Sequence, residues 1–344
     1  MAHCTIRCVR RVRGTYVLAG GLALVVAGAF VLAGGAPGRI LVRPTLRFHV
    51  IAKTPQKLDS LVWTGRQFLY VQNTANTVWA APPAGRPLRQ FATMPKLVEE
   101  TRCVLSPGGH GFRPGAIFCH SPDNKIYEIS PDGSSVTVFA SLPARYPPAS
   151  DGALAFDSVG RFGHRLVAAT GRSGGAAPAG GLVYTIGPRG GVRQVGSYAE
   201  PGGADELVIA PRQFGSVAGA ALLTVDAGAS GTVVAVGPNG TARTIATFPE
   251  GPNPVAAIPT LPRRTGRTRA PVPGLYLSDD VTGYTYMASA VSLAKYAGDV
   301  VVGTEAPRAL FWILEPRGSG FAKVPVRDNL SAGRYSLEQA IFVP

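Results

Sequence analysis

The chain has 344 residues, 34 Lys and Arg against 20 Asp and Glu, a formal net charge of +14 and 46% hydrophobic content. That length and apolar share suffice for a large buried core and exclude a disordered chain; the 43 glycines and 30 prolines fall between strand-like runs, as turn residues do. Aromatic residues do not interleave with the basic ones, and no phosphate-cradling glycine loop opens a helix, which argues against nucleic acid and dinucleotides as partners.

Arg7, Arg10, Arg11 and Arg13 precede residues 14–38, an uncharged stretch of mostly Ala, Val, Leu and Gly. A basic segment followed by an apolar run reads as a signal or anchor helix. The run exceeds the ~7–15 residues of a signal core and reaches the ~20 that span a bilayer, which favours an uncleaved anchor; cleavage after Ala33 is the alternative. The arginines stay cytoplasmic and place the remainder outside, secreted or anchored to the cell membrane through residues 14–38. Residues 1–38 are thus a signal peptide or anchor, 39–56 a linker with one strand, and 57–344 the folded domain.

Beyond the leader, Leu46–Ile51 is a lone strand. A first unit of four strands follows: Leu58–Trp63, Gln67–Gln72, Thr77–Ala81 and Leu88–Thr93, the last two joined by Pro83-Ala-Gly85. The second unit is Val98–Leu105, Ala116–His120, Lys125–Ile129 and Val136–Ala140, with its turn at Pro131-Asp-Gly133. Cys103 and Cys119 lie on its first two strands, where antiparallel neighbours bring them within reach of a disulfide and export supplies the oxidising compartment; two buried free thiols are the alternative. The third unit turns at Pro188-Arg-Gly190 and the fourth at Pro238-Asn-Gly240. Proline fixes φ in such a turn and glycine accepts positive φ, so Pro-x-Gly between β-branched runs marks a hairpin. A fifth unit (Pro254–Ile258, Gly274–Ser278, Tyr284–Ala288) lacks the turn; a sixth (Asp299–Thr304, Leu310–Leu314, Phe321–Val326) has Pro316-Arg-Gly318. Four short strands per ~40–50 residues in tandem predict an all-β, six-bladed β-propeller. Leu46–Ile51 and Leu337–Val343, from the two chain ends, are the strands expected to close the ring.

Acidic and amide residues recur at the start of each unit's first strand: Asp59, Glu99 and Glu100, Asp151, Asp205 and Glu206, Asn253, and Glu338. Innermost strands line a propeller's channel, so these side chains are expected to converge on one mouth of it. A ring of oxygens suits a hard divalent cation such as Ca²⁺, or acid/base chemistry by crowded carboxyls; the plainer alternative is that the acids cap turns or pair with arginines. Persistence of like charges there requires a cation, arginines or proton uptake.

With phrases such as Gly274-Leu-Tyr-Leu-Ser-Asp279 and Asp151-Gly-Ala-Leu-Ala-Phe156, the tandem units resemble the six-bladed propellers of the SMP-30/gluconolactonase/NHL-like group over roughly Lys57–Pro344. The lactonase branch holds a divalent cation at the channel mouth and hydrolyses sugar lactones. The resemblance implies metal ligands among Glu100, Asp151, Asp205, Asn253 and Glu338, with Asp205 and Glu100 as catalytic residues. The chain departs from that pattern in offering only one Asn to the set.

Other signals are weak. Gly171-Arg-Ser173-Gly-Gly175 matches G-x-S-x-G without the strand-to-helix elbow that a nucleophile needs. His110, His120 and His164 lack metal-ligand spacing, and Arg263, Arg264, Arg267 and Arg269 read as a solvated basic loop. Two functions stay open: an exported propeller acting as a binding scaffold at the cell surface, and a divalent-cation-dependent hydrolase of sugar lactones or related esters.

Overall fold

The computed structural model describes residues 43–343 apart from 55–56, 73–74, 84–86, 96–99, 144–151, 172–179, 229, 261–271, 306–309 and 331–334. The leader, Asp151, most of the G-x-S-x-G match and the 263–269 arginines lie outside the described residues. No helix among the described residues is long and apolar enough to cross a membrane.

Six four-stranded antiparallel sheets are arranged as blades of a β-propeller. Strand β1 (Phe48–Lys53) precedes the first blade, which is β2 (Leu58–Trp63), β3 (Phe68–Gln72), β4 (Thr77–Ala81) and β5 (Arg89–Thr93). The second is β6 (Arg102–Leu105), β7 (Ile117–Ser121), β8 (Lys125–Ile129) and β9 (Val136–Ser141). The third is β10 (Gly152–Phe156), β11 (Leu166–Thr170), β12 (Gly181–Ile186) and β13 (Val192–Tyr198). The fourth is β14 (Gly203–Ile209), β15 (Ala221–Asp226), β16 (Gly231–Val236) and β17 (Ala242–Phe248).

The last two blades interlace, which corrects the expected fifth and sixth units. Strand β18 (Pro252–Ala257) is followed in sequence by the hairpin β19 (Gly274–Asp279) and β20 (Tyr284–Ser289), but pairs instead with β21 (Val300–Thr304). β21, β22 (Phe311–Arg317) and β23 (Gly320–Pro325) complete the fifth blade. The skipped hairpin joins β24 (Leu337–Val343) on its inner side and β1 on its outer side, so both ends of the described chain meet in the sixth blade as expected. Strand spacing shows where strands are and leaves open which sheet they join. Two three-stranded units each lacked a partner, and this exchange supplies both.

The turns form as their residues require. Gly133, Gly190, Gly240 and Gly318 all adopt positive φ. At Gly133 a Cβ would lie 2.2 Å from the carbonyl oxygen of Phe91 in the preceding blade, and at Gly190 the same distance from that of Phe139. The turns at Gly133, Gly190 and Gly240 thus press glycine backbone onto the preceding blade, whereas Gly318 faces open space. The core lies between blades: Val62, Leu69, Val71 and Val78 of the first pack on Cys103, Ile117 and Ile129 of the second. Each such buried side chain contributes about 2 kcal/mol. Cys103 and Cys119 are direct cross-strand partners and form a disulfide.

Candidate functional site: the two ends of the channel

The innermost strands β2, β6, β10, β14, β18 and β24 run in parallel phase, so their first residues share one end of the channel, here the entry end. Each is an edge strand paired on one side only, and its free N–H groups need acceptors from elsewhere. Neighbouring blades supply them. Cys103 donates its N–H to Ser60 Oγ at 2.9 Å, Leu61 to Gln339 Oε1 at 2.6 Å, and Thr101 to Asp59 Oδ2 at 3.3 Å. Glu206 Oε2 accepts from Val255 N (2.9 Å) and Ala340 N (3.3 Å), tying the fourth blade to the fifth and sixth. The prolines at 252 and 254 are tolerated in β18 because an edge strand can forgo donors.

At the centre of the entry end lies Arg102, 1% exposed. Its Nη2 meets Glu338 Oε2 at 2.8 Å and Glu100 Oε2 at 3.3 Å. Nε donates to the Asp205 carbonyl (2.9 Å) and Nη1 to the Asp59 carbonyl (3.2 Å). One guanidinium from the second blade thus links the first, fourth and sixth. Asn253 Nδ2 donates to Glu338 Oε2 at 2.9 Å, and Ser336 Oγ bridges Glu338 Oε1 (3.1 Å) and Glu305 Oε1 (3.0 Å).

The electrostatics follow from crowding several carboxyls around one fixed cation. Burial opposes the charge on Arg102, but Glu338, Glu100, Asp59 and Asp205 outweigh it and raise its pKa above the ordinary value. Burial pushes Asp59 up to about 8 against the pull of Arg102, and Asp59 Oδ1 has no hydrogen-bond partner among the described residues. Burial likewise pushes Glu206 up to about 8 and raises Glu338 and Glu305, with Arg102 opposing in each case. A single guanidinium cannot neutralise all of them, so the remainder favour protonation.

Of the residues singled out from sequence, Glu100, Asp205, Asn253 and Glu338 therefore do meet at one end of the channel, with Asp59 and Glu206. Asp151 falls outside the described residues. Part of the donor set is already taken, since a guanidinium holds Oε2 of Glu338 and of Glu100 and the Asn253 amide nitrogen donates to Glu338. Asn253 Oδ1 and Asp59 Oδ1 have no hydrogen-bond partner among the described residues. Among the described residues no three His, Cys, Asp or Glu side chains are grouped to hold a metal ion. Sequence reasoning missed Arg102, Gln339 and Ser336. The available signal was an arginine beside Cys103 at the start of an innermost strand, where an unpaired charge is not tolerated.

Gln339 divides the channel. Its Oε1 accepts from Ser60 Oγ and Leu61 N, both at 2.6 Å, and its Nε2 donates to the Cys103 carbonyl at 3.3 Å. On the far side the exit end opens into an apolar concavity of about 310 Å³ walled by Trp63, Cys103, Leu105, Ile341 and Phe342. The histidines serve packing. His120 is buried against Gly152, burial lowering its pKa to about 4, and the His110 and His164 rings stack at 4.0 Å between loops of the second and third blades.

No protein-family model matches the chain, and no curated protein matches it. Among solved structures, the chain resembles one in the nidogen/laminin complex, with a TM-score of 0.52 and 10% identity over 84% of this chain and 86% of that one. At that identity the likeness concerns the fold alone. The extracellular domain of a hybrid two-component system from B. thetaiotaomicron aligns with a TM-score of 0.41 and 11% identity, over 76% of this chain and 39% of its own length.

Proposed function

We propose that the protein is a binding scaffold working outside the cytoplasm. The observation that carries this reading is Arg102: the entry end, where a propeller hydrolase would work, is cross-linked by a buried guanidinium to Glu338, Glu100 and two backbone carbonyls. Carboxylates so engaged hold the ring together and leave little for a substrate. The Cys103–Cys119 disulfide supports an oxidising compartment. The solved structure with the similar fold is a complex of two proteins, nidogen and laminin, in keeping with a propeller that binds. Kinship to the SMP-30/gluconolactonase/NHL-like group is then one of architecture, with Arg102 neutralising acids that a divalent cation neutralises there. The test is hydrolysis of a panel of sugar lactones with and without Ca²⁺, Mg²⁺, Mn²⁺ or Zn²⁺. We expect rates at the uncatalysed level throughout. Metal-dependent turnover abolished by Asp205→Ala would overturn the proposal in favour of the hydrolase.

A further inference from the structure

The exit end differs from the entry end in charge as well as polarity. Loops that join each first strand to its second, and each third to its fourth, gather there. They carry the exposed Arg66, Arg113, Arg161, Arg189, Arg212 and, at the start of β17, Arg243. None of the six has a carboxylate within ion-pair distance among the described residues. The acids of the same loops are engaged internally. Asp157 is 3% exposed and accepts N–H bonds from Val159, Gly160, Phe162 and His164, while Asp132 is held by Ser130 and Ser134. A second concavity of about 400 Å³ at this end has Arg161 and Arg243 in its wall, with Asn239 and Thr241. The central apolar concavity opens among these loops, and Trp63, Leu105, Ile341 and Phe342 in its wall are half-buried.

We infer that the exit end is the docking face and that its partner is an acidic polypeptide segment bearing an apolar side chain. This rests on the scaffold reading and names its surface and partner class. Exposed arginines without a carboxylate partner select carboxylates, and an apolar concavity selects an apolar side chain; a polypeptide carries both in one strand. Sulfated or phosphorylated polymers offer charge with nothing for the concavity. A bilayer is met by protruding apolar groups, whereas here the apolar centre is recessed.

The experiment titrates the protein with a labelled peptide of alternating Glu and Leu, an all-Glu peptide of the same length, heparin, and vesicles containing phosphatidylglycerol. The Glu/Leu peptide is expected to bind at least fivefold tighter than the all-Glu peptide and to weaken about tenfold between 50 and 300 mM salt. It should shift tryptophan emission in the native chain but not in Trp63→Phe, and Arg66→Glu with Arg161→Glu should weaken it about tenfold. These arginines are exposed, so the variant keeps the fold. Equal binding of both peptides, tighter binding of heparin or vesicles, or no binding at all would overturn the inference. Its failure is distinct from failure of the scaffold reading, because that reading falls only if lactone hydrolysis is found.

Discussion

Arg102 is costly to bury, and its guanidinium makes four hydrogen bonds, one to each of three other blades and one to Glu100 of its own. Removing one member of a buried ion pair leaves the other uncompensated, at about 3–5 kcal/mol, whereas removing both is far cheaper. Arg102→Met should therefore lower the urea-unfolding free energy by about 3–5 kcal/mol, and adding Glu338→Gln should recover at least half of that loss. A single substitution costing less than about 1 kcal/mol would show that the guanidinium does not hold the ring. The raised carboxyls set a pH dependence of definite sign. Asp59 and Glu206 titrate near 8 in the folded chain and near 4 when unfolded, so the folded state holds protons that the unfolded state lacks. That stability is fully present below about pH 4 and is lost as pH rises through about 8. His120, lowered to about 4, works oppositely and restores stability as pH rises from about 4 to 6.5. Between about pH 6.5 and 8, where His120 no longer offsets it, the loss from Asp59 and Glu206 runs at up to about 1.4 kcal/mol per unit for each carboxyl. Urea midpoints should drop from pH 6.5 to 8.5, and Asp59→Asn should flatten the drop; a midpoint that rises across that interval would contradict the assignment.

At the scale of the element, the Pro-x-Gly hairpin made most of the fold legible. The pattern names its own conformation, since positive φ at Gly133, Gly190, Gly240 and Gly318 is what the glycine is there to supply. The contact made by that glycine was not legible, because nothing local to Pro131-Asp-Gly133 refers to Phe91, some forty residues earlier. Gly133→Ala should cost about 1–3 kcal/mol, from strained φ and from a Cβ that would overlap the Phe91 carbonyl. Gly318→Ala has positive φ but open space and should cost only about 1 kcal/mol. Equal losses on thermal unfolding would show that the blade contact adds nothing to the turn. The fifth and sixth units mark where local reading ends. β18 and β19 look consecutive, yet only long-range pairing decides that one joins β21 and the other β24.

Across the whole molecule, one rule explains the part of the site that the sequence did show. Equivalent strand entrances are related by rotation about the channel, so acids at Glu100, Asp205, Asn253's partner Glu338 and Asp59 had to converge. What neutralises them was harder to see, because the signal for Arg102 is its place at the start of an innermost strand, and its contacts with Asp59, Asp205 and Glu338 are all long-range. In the scaffold reading proposed above, this arginine, with proton uptake by its neighbours, stands where a metal ion was expected. If the guanidinium and protonation of its neighbours neutralise the ring, an added cation should not stabilise the chain by mass action. The decisive measurement is the melting temperature of the purified protein at pH 7 in chelator and then in millimolar Ca²⁺. The same melting temperature is expected in both; a rise of several degrees with Ca²⁺ that chelator reverses and Glu338→Gln abolishes would contradict the role given to Arg102.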